Sequence, residues 1–290
     1  GFGGTDGGVA LSDLSDDMTL LSIQGPKSHE LLRPFVARGA IDDLASFAFS
    51  SAREVTVAGV AGVRCLRLTF MGELGFELHL PARHAAAAYE TLREAGERLS
   101  HTTGVPVRDG GYLAIDSLSA EKSYRHWHAD LGAADTPMEA AIGFTTLPKL
   151  KRGDDVAFLG QAALRAKHAA GLQRRLVTLV LDQPGGPGGE APPLHGGEAL
   201  LRDGVPLGIV RSTAYGHTIG RTIVTGYVDK PEGIDKITLK WLREGTWEVG
   251  SKKQAPLSAA LHLKAPFDPE GKRMQGIYEP EEEEEYAAAA

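Results

Sequence analysis

The run Ala114-Ile115-Asp116-Ser117-Leu118-Ser119-Ala120-Glu121-Lys122-Ser123-Tyr124-Arg125-His126-Trp127-His128-Ala129-Asp130-Leu131 crowds acidic, basic and aromatic side chains into one short segment. A solvated charge run repeats one kind of residue and lacks aromatic groups, so this mixture reads as a site. A helix is expected to start after Gly110-Gly111 and to run through Glu121, with Asp116 and Glu121 on it. The chain should leave the helix near Tyr124, and the turn then presents His126, Trp127 and Asp130 to a concave pocket. There Trp127 would offer a flat apolar wall to an aromatic ligand. The plainer reading is a packed core tryptophan flanked by surface histidines. His126-x-His128 sets two imidazoles on one side only if the segment is extended. No Cys or His at fixed spacing completes a four-ligand set, so no metal is expected; His195 and His217, isolated in loop contexts, read as surface residues.

Working outward toward the N-terminus, Thr19–Gln24 is a short apolar strand stopped by Gly25-Pro26. Leu31, Leu32, Phe35 and Val36 then recur at helical spacing behind Ser28 as N-cap. Glu54–Ala58 and Val63–Phe70 read as strands, and Phe76, Leu78 and Leu80 alternate with Glu77 and His79 in a third, joined through Met71-Gly72-Glu73-Leu74-Gly75. Ala85, Tyr89, Leu92, Ala95 and Leu99 mark an amphipathic helix closed near Gly104. Toward the C-terminus the pattern changes to short strands, Leu176–Leu181, Val205–Arg211, Thr222–Val228, Ile237–Trp241 and Trp247–Val249, separated by turns such as Asp203-Gly204. That is the pattern of an antiparallel barrel or sandwich. Pro184–Pro193 reads as a mobile surface loop.

The chain of 290 residues is 42% hydrophobic and 24% charged, enough for two domains and a sizeable core. Its net charge of −7 is concentrated in a tail at Glu279 and Glu281–Glu285; the remainder is near neutral and offers no electrostatic footprint for nucleic acid. No apolar stretch approaches the roughly 20 residues that span a bilayer, so a soluble protein is expected. The single cysteine, Cys65, alternates with apolar neighbours and reads as a small buried hydrophobe, which fits a reducing compartment. The Gly-rich start, without methionine, reads as a linker or join of a longer protein, and no targeting segment is visible.

The 114–131 run resembles the folate-binding half of the sarcosine and dimethylglycine dehydrogenases, relatives of the aminomethyltransferase (T-protein) of the glycine cleavage system. Its Tyr124–Leu131 portion favours the sarcosine branch. The hairpin Thr69-Phe70-Met71-Gly72-Glu73-Leu74-Gly75-Phe76-Glu77-Leu78 is similar to the T-protein turn that reaches the pterin. Gly208–Tyr227 resembles the T-protein barrel, and Leu263–Pro269 with Gly276-Ile277-Tyr278 resembles the closing segment of sarcosine dehydrogenase. The resemblance covers about Leu20 to Tyr278.

It implies an α+β fold: aminomethyltransferase-like folate-binding domains, a mixed antiparallel sheet with helices, followed by a C-terminal antiparallel β-barrel. The expected division is a Gly-rich linker or truncated start at 1–18, a T-protein-like region at 19–165, a barrel at 166–278 and an acidic disordered tail at 279–290. The implied folate-binding residues are Phe70, Glu73, Glu77, Glu121, Tyr124, His126, Trp127 and Asp130. Glu77 would grip the pterin edge, whose amino group and adjacent ring N–H can donate two parallel hydrogen bonds to one carboxylate; pattern alone favours the wet face of an amphipathic strand, and it is the resemblance that reverses this. Phe70 stands where the T-protein pattern has tyrosine, leaving ring packing without a hydroxyl. The family's catalytic aspartate belongs before the first strand here, and the spacing of Asp13 is too short to carry that role.

The implied function is capture of the one-carbon unit from oxidative demethylation of sarcosine by tetrahydrofolate, as methylenetetrahydrofolate, in the mitochondrial matrix. FAD would belong only to a separate N-terminal flavin domain, because the Gly1–Gly8 stretch has no preceding strand and cannot be a dinucleotide fingerprint. The alternatives are a non-catalytic module resembling the pyruvate dehydrogenase phosphatase regulatory subunit, or a dimethylglycine dehydrogenase or aminomethyltransferase homologue.

Overall fold

The computed structural model describes residues 10–41, 46–152, 157–184, 194–250 and 255–278. The Gly-rich start through residue 9, the loop at 185–193 and the acidic tail from 279 lie outside the described residues. Two compact units emerge: residues up to 111 together with 270–278, and residues 112–269. The second compact unit includes the segment 112–165, whose helix after Gly110-Gly111 packs against a barrel strand.

The first unit contains β1 (Met18–Gln24), α1 (Ser28–Leu32), β2 (Ala52–Val57), β3 (Val60–Leu66), β4 (Gly75–Pro81) and α2 (Ala85–Thr103). The strands form an antiparallel sheet in the order β1-β4-β3-β2. Strict alternation decides its faces: Val63 and Cys65 on β3 join Phe76, Leu78 and Leu80 on β4 in the core, with Ala88 and Leu92 of α2. α2 ends where Gly104 adopts φ 72°, the left-handed C-cap that glycine takes without steric cost.

Three local expectations are corrected. Ser28 is not an N-cap: its buried hydroxyl donates to the Leu74 carbonyl at 3.1 Å, satisfying an acceptor in the loop before β4. The helix stops at Leu32 and tightens into a 3-10 turn at Arg33–Phe35, because Pro34 has no N–H to continue the α ladder. β3 ends at Leu66 rather than Phe70; Arg67 turns inward to donate to the carbonyls of Phe47 (2.6 Å) and Gln275 (2.9 Å), and Thr69 Oγ1 accepts from the Gly72 amide at 2.9 Å.

Cys65 is fully buried, and burial pushes its thiol up to about 12 from an ordinary 9.0, the Arg53 charge offsetting only part of this. Since the folded value lies above the unfolded one, this group's contribution to stability is complete below pH 9 and declines as pH rises toward 12. Tyr227 in the second unit, also pushed up to about 12 by burial first, acts in the same direction from its ordinary 10.0. Urea midpoints should therefore fall steadily between pH 9 and 11. The native thiol should resist a disulfide reagent at pH 8 yet react once unfolded in urea; rapid native labelling or a flat pH profile would contradict this burial.

The second unit contains α3 (Tyr112–Glu121), α4 (Leu147–Lys151), α5 (Gln161–Ala170), β5 (Arg174–Pro184), β6 (Ala199–Arg202), β7 (Val205–Gly216), β8 (Arg221–Asp229), α6 (Leu239–Glu244), β9 (Trp247–Val249) and β10 (Leu257–His262). Six strands close a barrel in the order β10-β5-β8-β7-β6-β9. Val177, Leu179, Leu181, Val224 and Val228 fill its interior, so Thr178 and Thr225 face outward. The expected strand at Ile237–Trp241 is instead the start of α6: Thr238 caps it, its hydroxyl accepting from the Trp241 amide at 3.1 Å. β10, Leu-Ser-Ala-Ala-Leu-His, has little strand propensity of its own and forms because pairing with β5 and β9 closes the barrel.

Candidate functional site

On the first unit's sheet, the side opposite the core carries polar groups. Glu77 sits there between inward Phe76 and Leu78, beside Ser22 of β1 and Leu66 of β3 in register. Its side chain is 19% exposed, and the His79 imidazole Nε2 stands 3.6 Å from its Oε2, beyond hydrogen-bond reach. Among the described residues its carboxylate accepts no hydrogen bond. Gln24, two residues along β1 from Ser22, donates to Ser22 Oγ at 3.0 Å, and its own buried Oε1 has no donor. A half-buried carboxylate and a buried carbonyl oxygen with acceptor capacity to spare suit a ligand edge rich in N–H donors.

The other two hairpin candidates are placed differently. Glu73 is buried and engaged: Arg273 Nη1 donates to Oε1 at 3.3 Å and the Tyr278 hydroxyl to Oε2 at 3.1 Å. Burial, then the Glu73 charge, holds the Tyr278 hydroxyl well above its ordinary range. This trio ties the 270–278 segment to the hairpin. Phe70 is 52% exposed. Asp13, in the segment before β1, is exposed and accepts hydrogen bonds from the hydroxyl and amide of Ser15, which lower its pKa.

In the second unit α3 delivers Glu121, with no exposed surface, onto the turn between β7 and β8. Its Oε1 accepts from the amides of Thr218 (2.7 Å) and Ile219 (3.1 Å), and its Oε2 from the Thr218 hydroxyl (2.9 Å). Gly216 permits this approach, since a Cβ there would lie 2.9 Å from Glu121 Oε1. The burial of Glu121 is thus accounted for within the barrel.

The chain then turns at Ser123 and His128, both at positive φ, 55° and 71°. The result is a compact loop on the barrel's outer face. Thr178, Thr225 and Ser212 stand in one row across β5, β8 and β7 by strand register. Onto this row the loop lowers Arg125 and Asp130. Arg125 Nη2 donates to Thr178 Oγ1 at 2.8 Å; Asp130 Oδ1 accepts from Ser212 (2.6 Å) and Thr225 (3.2 Å), and its Oδ2 from the His126 amide (2.8 Å). Burial lowers the Arg125 pKa, with the Asp130 charge opposing.

A cavity of about 120 Å³ lies between α3, this loop and the face of β7 and β8. Tyr124, His126 and Asp130 line it, so these three expected residues are brought together; Trp127 is 56% exposed, set edge-on to His128, and does not line it. Asp116, Arg125, Ser212 and Thr225 also line it, unassigned by sequence reading. The outward hydroxyl row is invisible until strand register is known, although an arginine inside an aromatic run was a signal. No cluster of three or more metal-ligating side chains occurs among the described residues, and no helix there is long and apolar enough to cross a membrane.

Comparison with known proteins agrees with this architecture. Over 92% of its length the chain is 40% identical to a mitochondrial sarcosine dehydrogenase of Mus musculus, and over 84% it is 28% identical to the mitochondrial pyruvate dehydrogenase phosphatase regulatory subunit of the same species. It spans only 27% of each of those proteins. The crystal structure of the glycine cleavage system aminomethyltransferase T from Bartonella henselae shares the fold, with a TM-score of 0.56 and 17% identity over 88% of this chain and 85% of that one. Residues 3–149 match the GCVT N-terminal domain and residues 174–268 the glycine cleavage T-protein C-terminal barrel domain, so the chain belongs to the glycine cleavage T-protein family.

Proposed function

We propose that this chain is the folate-binding part of a sarcosine dehydrogenase-like flavoenzyme of the mitochondrial matrix. Bound tetrahydrofolate would take up the one-carbon unit from oxidative demethylation of sarcosine as methylenetetrahydrofolate. The flavin chemistry would belong to another domain of the parent protein, which is also the partner this reading implies. The observation that carries the reading is the half-buried Glu77 carboxylate, which accepts no hydrogen bond among the described residues although it is held on a rigid central strand. Gln24 Oε1, on the neighbouring strand opposite Gly75, adds a second acceptor without a donor. A pterin edge supplies the donors both would use. Phe70 offers an exposed ring near the same turn, and Trp127 an exposed ring in the other unit. Glu73, Glu121 and Asp130 support this reading from within, by fixing the segments that carry the other groups.

Calorimetric titration with tetrahydrofolate tests it. Glu77→Gln keeps the shape but presents a donor where the pterin also donates. Loss of a charge-assisted hydrogen bond costs about 1.5–3 kcal/mol, so the dissociation constant should rise on the order of tenfold to a hundredfold. Equal affinities would return Glu77 to the role of a wet strand residue. Absence of binding by either folded protein would favour the regulatory reading, consistent with the similarity to the phosphatase regulatory subunit.

A further inference from the structure

The cavity on the barrel's outer face has room of its own for a small polar ligand. An apolar cavity of about 150 Å³ accepts benzene, six heavy atoms, so about 120 Å³ suits a ligand of roughly five heavy atoms. Its walls are mostly apolar but carry charged groups of both signs. Arg125 brings a guanidinium with five N–H donors, of which Nη2 reaches Thr178, while the buried Nε has no hydrogen-bond partner. Asp130, the acid in its field, already accepts from Ser212, Thr225 and the His126 amide, and it makes no hydrogen bond to Arg125. A buried donor left without an acceptor is costly unless a ligand supplies one. Asp116, also on the cavity wall, keeps its side chain 53% exposed and stands 3.8 Å from His126 Nδ1, too far for a hydrogen bond.

We propose that this cavity binds a small α-amino acid as its zwitterion, with the carboxylate held by Arg125 and the ammonium group drawn toward Asp116. Glycine, with five heavy atoms, is the size that fits. An arginine fork pairs with a planar carboxylate through two parallel donors, which a point charge cannot imitate. Asp116 selects against a simple carboxylate such as acetate, and Arg125 against a simple amine. The site lies in the second unit and does not depend on the folate reading, which rests on Glu77 in the first.

The test is saturation-transfer NMR on the 290-residue chain with glycine, acetate and methylamine in turn. Glycine should bind, acetate at least tenfold more weakly, and methylamine not measurably. Ala214 lines the cavity, so Ala214→Leu should abolish glycine binding by filling it. Arg125→Lys, which keeps the charge and loses the fork, should weaken glycine at least tenfold with the circular dichroism spectrum retained. Should one variant fail to fold, the other together with the three-ligand comparison still decides. No glycine signal from the folded wild type, acetate equal to glycine, or glycine binding unchanged in either folded variant would overturn the proposal. Tetrahydrofolate titrated alongside separates the readings: glycine binding without folate binding leaves this site standing and removes the other.

Discussion

Glu121→Ala should destabilise the second unit by about 3–5 kcal/mol, the range for removing one partner from a buried charged arrangement. Three donors converge on this carboxylate, two of them backbone amides at the β7–β8 turn, and the alanine variant leaves all three without their acceptor. Each hydrogen bond to a charged group is worth roughly 1.5–3 kcal/mol, and because the three act as one clamp their losses do not simply add. With about 2–4 °C lost per kcal/mol in a domain of this size, the melting temperature should drop on the order of 10 °C. Glu121→Gln is the informative control. Its Oε1 can still accept from Thr218 and Ile219, and its amide can donate to the Thr218 hydroxyl, which rotates to accept, so about 1–2 kcal/mol should be lost. Scanning calorimetry on the three proteins decides it; near-identical melting of wild type and alanine variant would mean that the clamp contributes nothing.

Phe76→Ala should cost a similar amount, about 3–5 kcal/mol, and act on the first unit. Phe76 has no exposed surface and packs 6.2 Å, ring centre to ring centre, from both Phe47 and His29. It sits on a strand paired on both sides, so the backbone cannot collapse into the space left behind. Leu20 of the same sheet, 45% exposed, is the contrast: its alanine variant should lose less than about 1 kcal/mol, since little apolar area leaves water on folding. Urea denaturation of both variants checks the ranking. Comparable losses would show that the alternation of faces inferred for this sheet is not what stabilises it.

Much of this architecture was legible because local rules and tertiary demands agree. Phe76, Leu78 and Leu80 alternate, and the strand they specify is buried on the side they specify. Ala85–Thr103 has helical spacing and a glycine stop, and it is a helix ending at Gly104. Cys65 alternates with apolar neighbours and is buried. Disagreements arose where one side chain chose a distant partner over a near one. Ser28 looks like a cap because serine usually bonds its own helix, yet its hydroxyl goes to Leu74, 46 residues away. Ile237-Thr238-Leu239-Lys240-Trp241 has strand-like residues, but Thr238 can cap a helix and does. β10 shows the opposite case, a weak strand former recruited by its neighbours.

The candidate site divides in the same way. Strand alternation places Glu77 off the core face, but its reading as a pterin ligand came from the family resemblance, since alternation alone suits an ordinary wet strand residue. Tyr124, His126 and Asp130 were assignable as a cluster because they are close in sequence. Which carboxylates remain available was decided by residues far along the chain: Arg273 and Tyr278 engage Glu73, Thr218 and Ile219 engage Glu121, and Ser212 and Thr225 engage Asp130. By itself, then, the sequence determined the family, the sheet-then-barrel order and, in strands without a bulge such as the one after Val210, the face on which a strand residue lies, since period-two and helical spacing are local properties of the chain. Only the tertiary structure decided which polar groups are spent and which are left for a ligand. Hydrogen bonds saturate, and the partner that saturates each one comes from a register, such as Thr178 with Thr225 with Ser212, that no local pattern encodes.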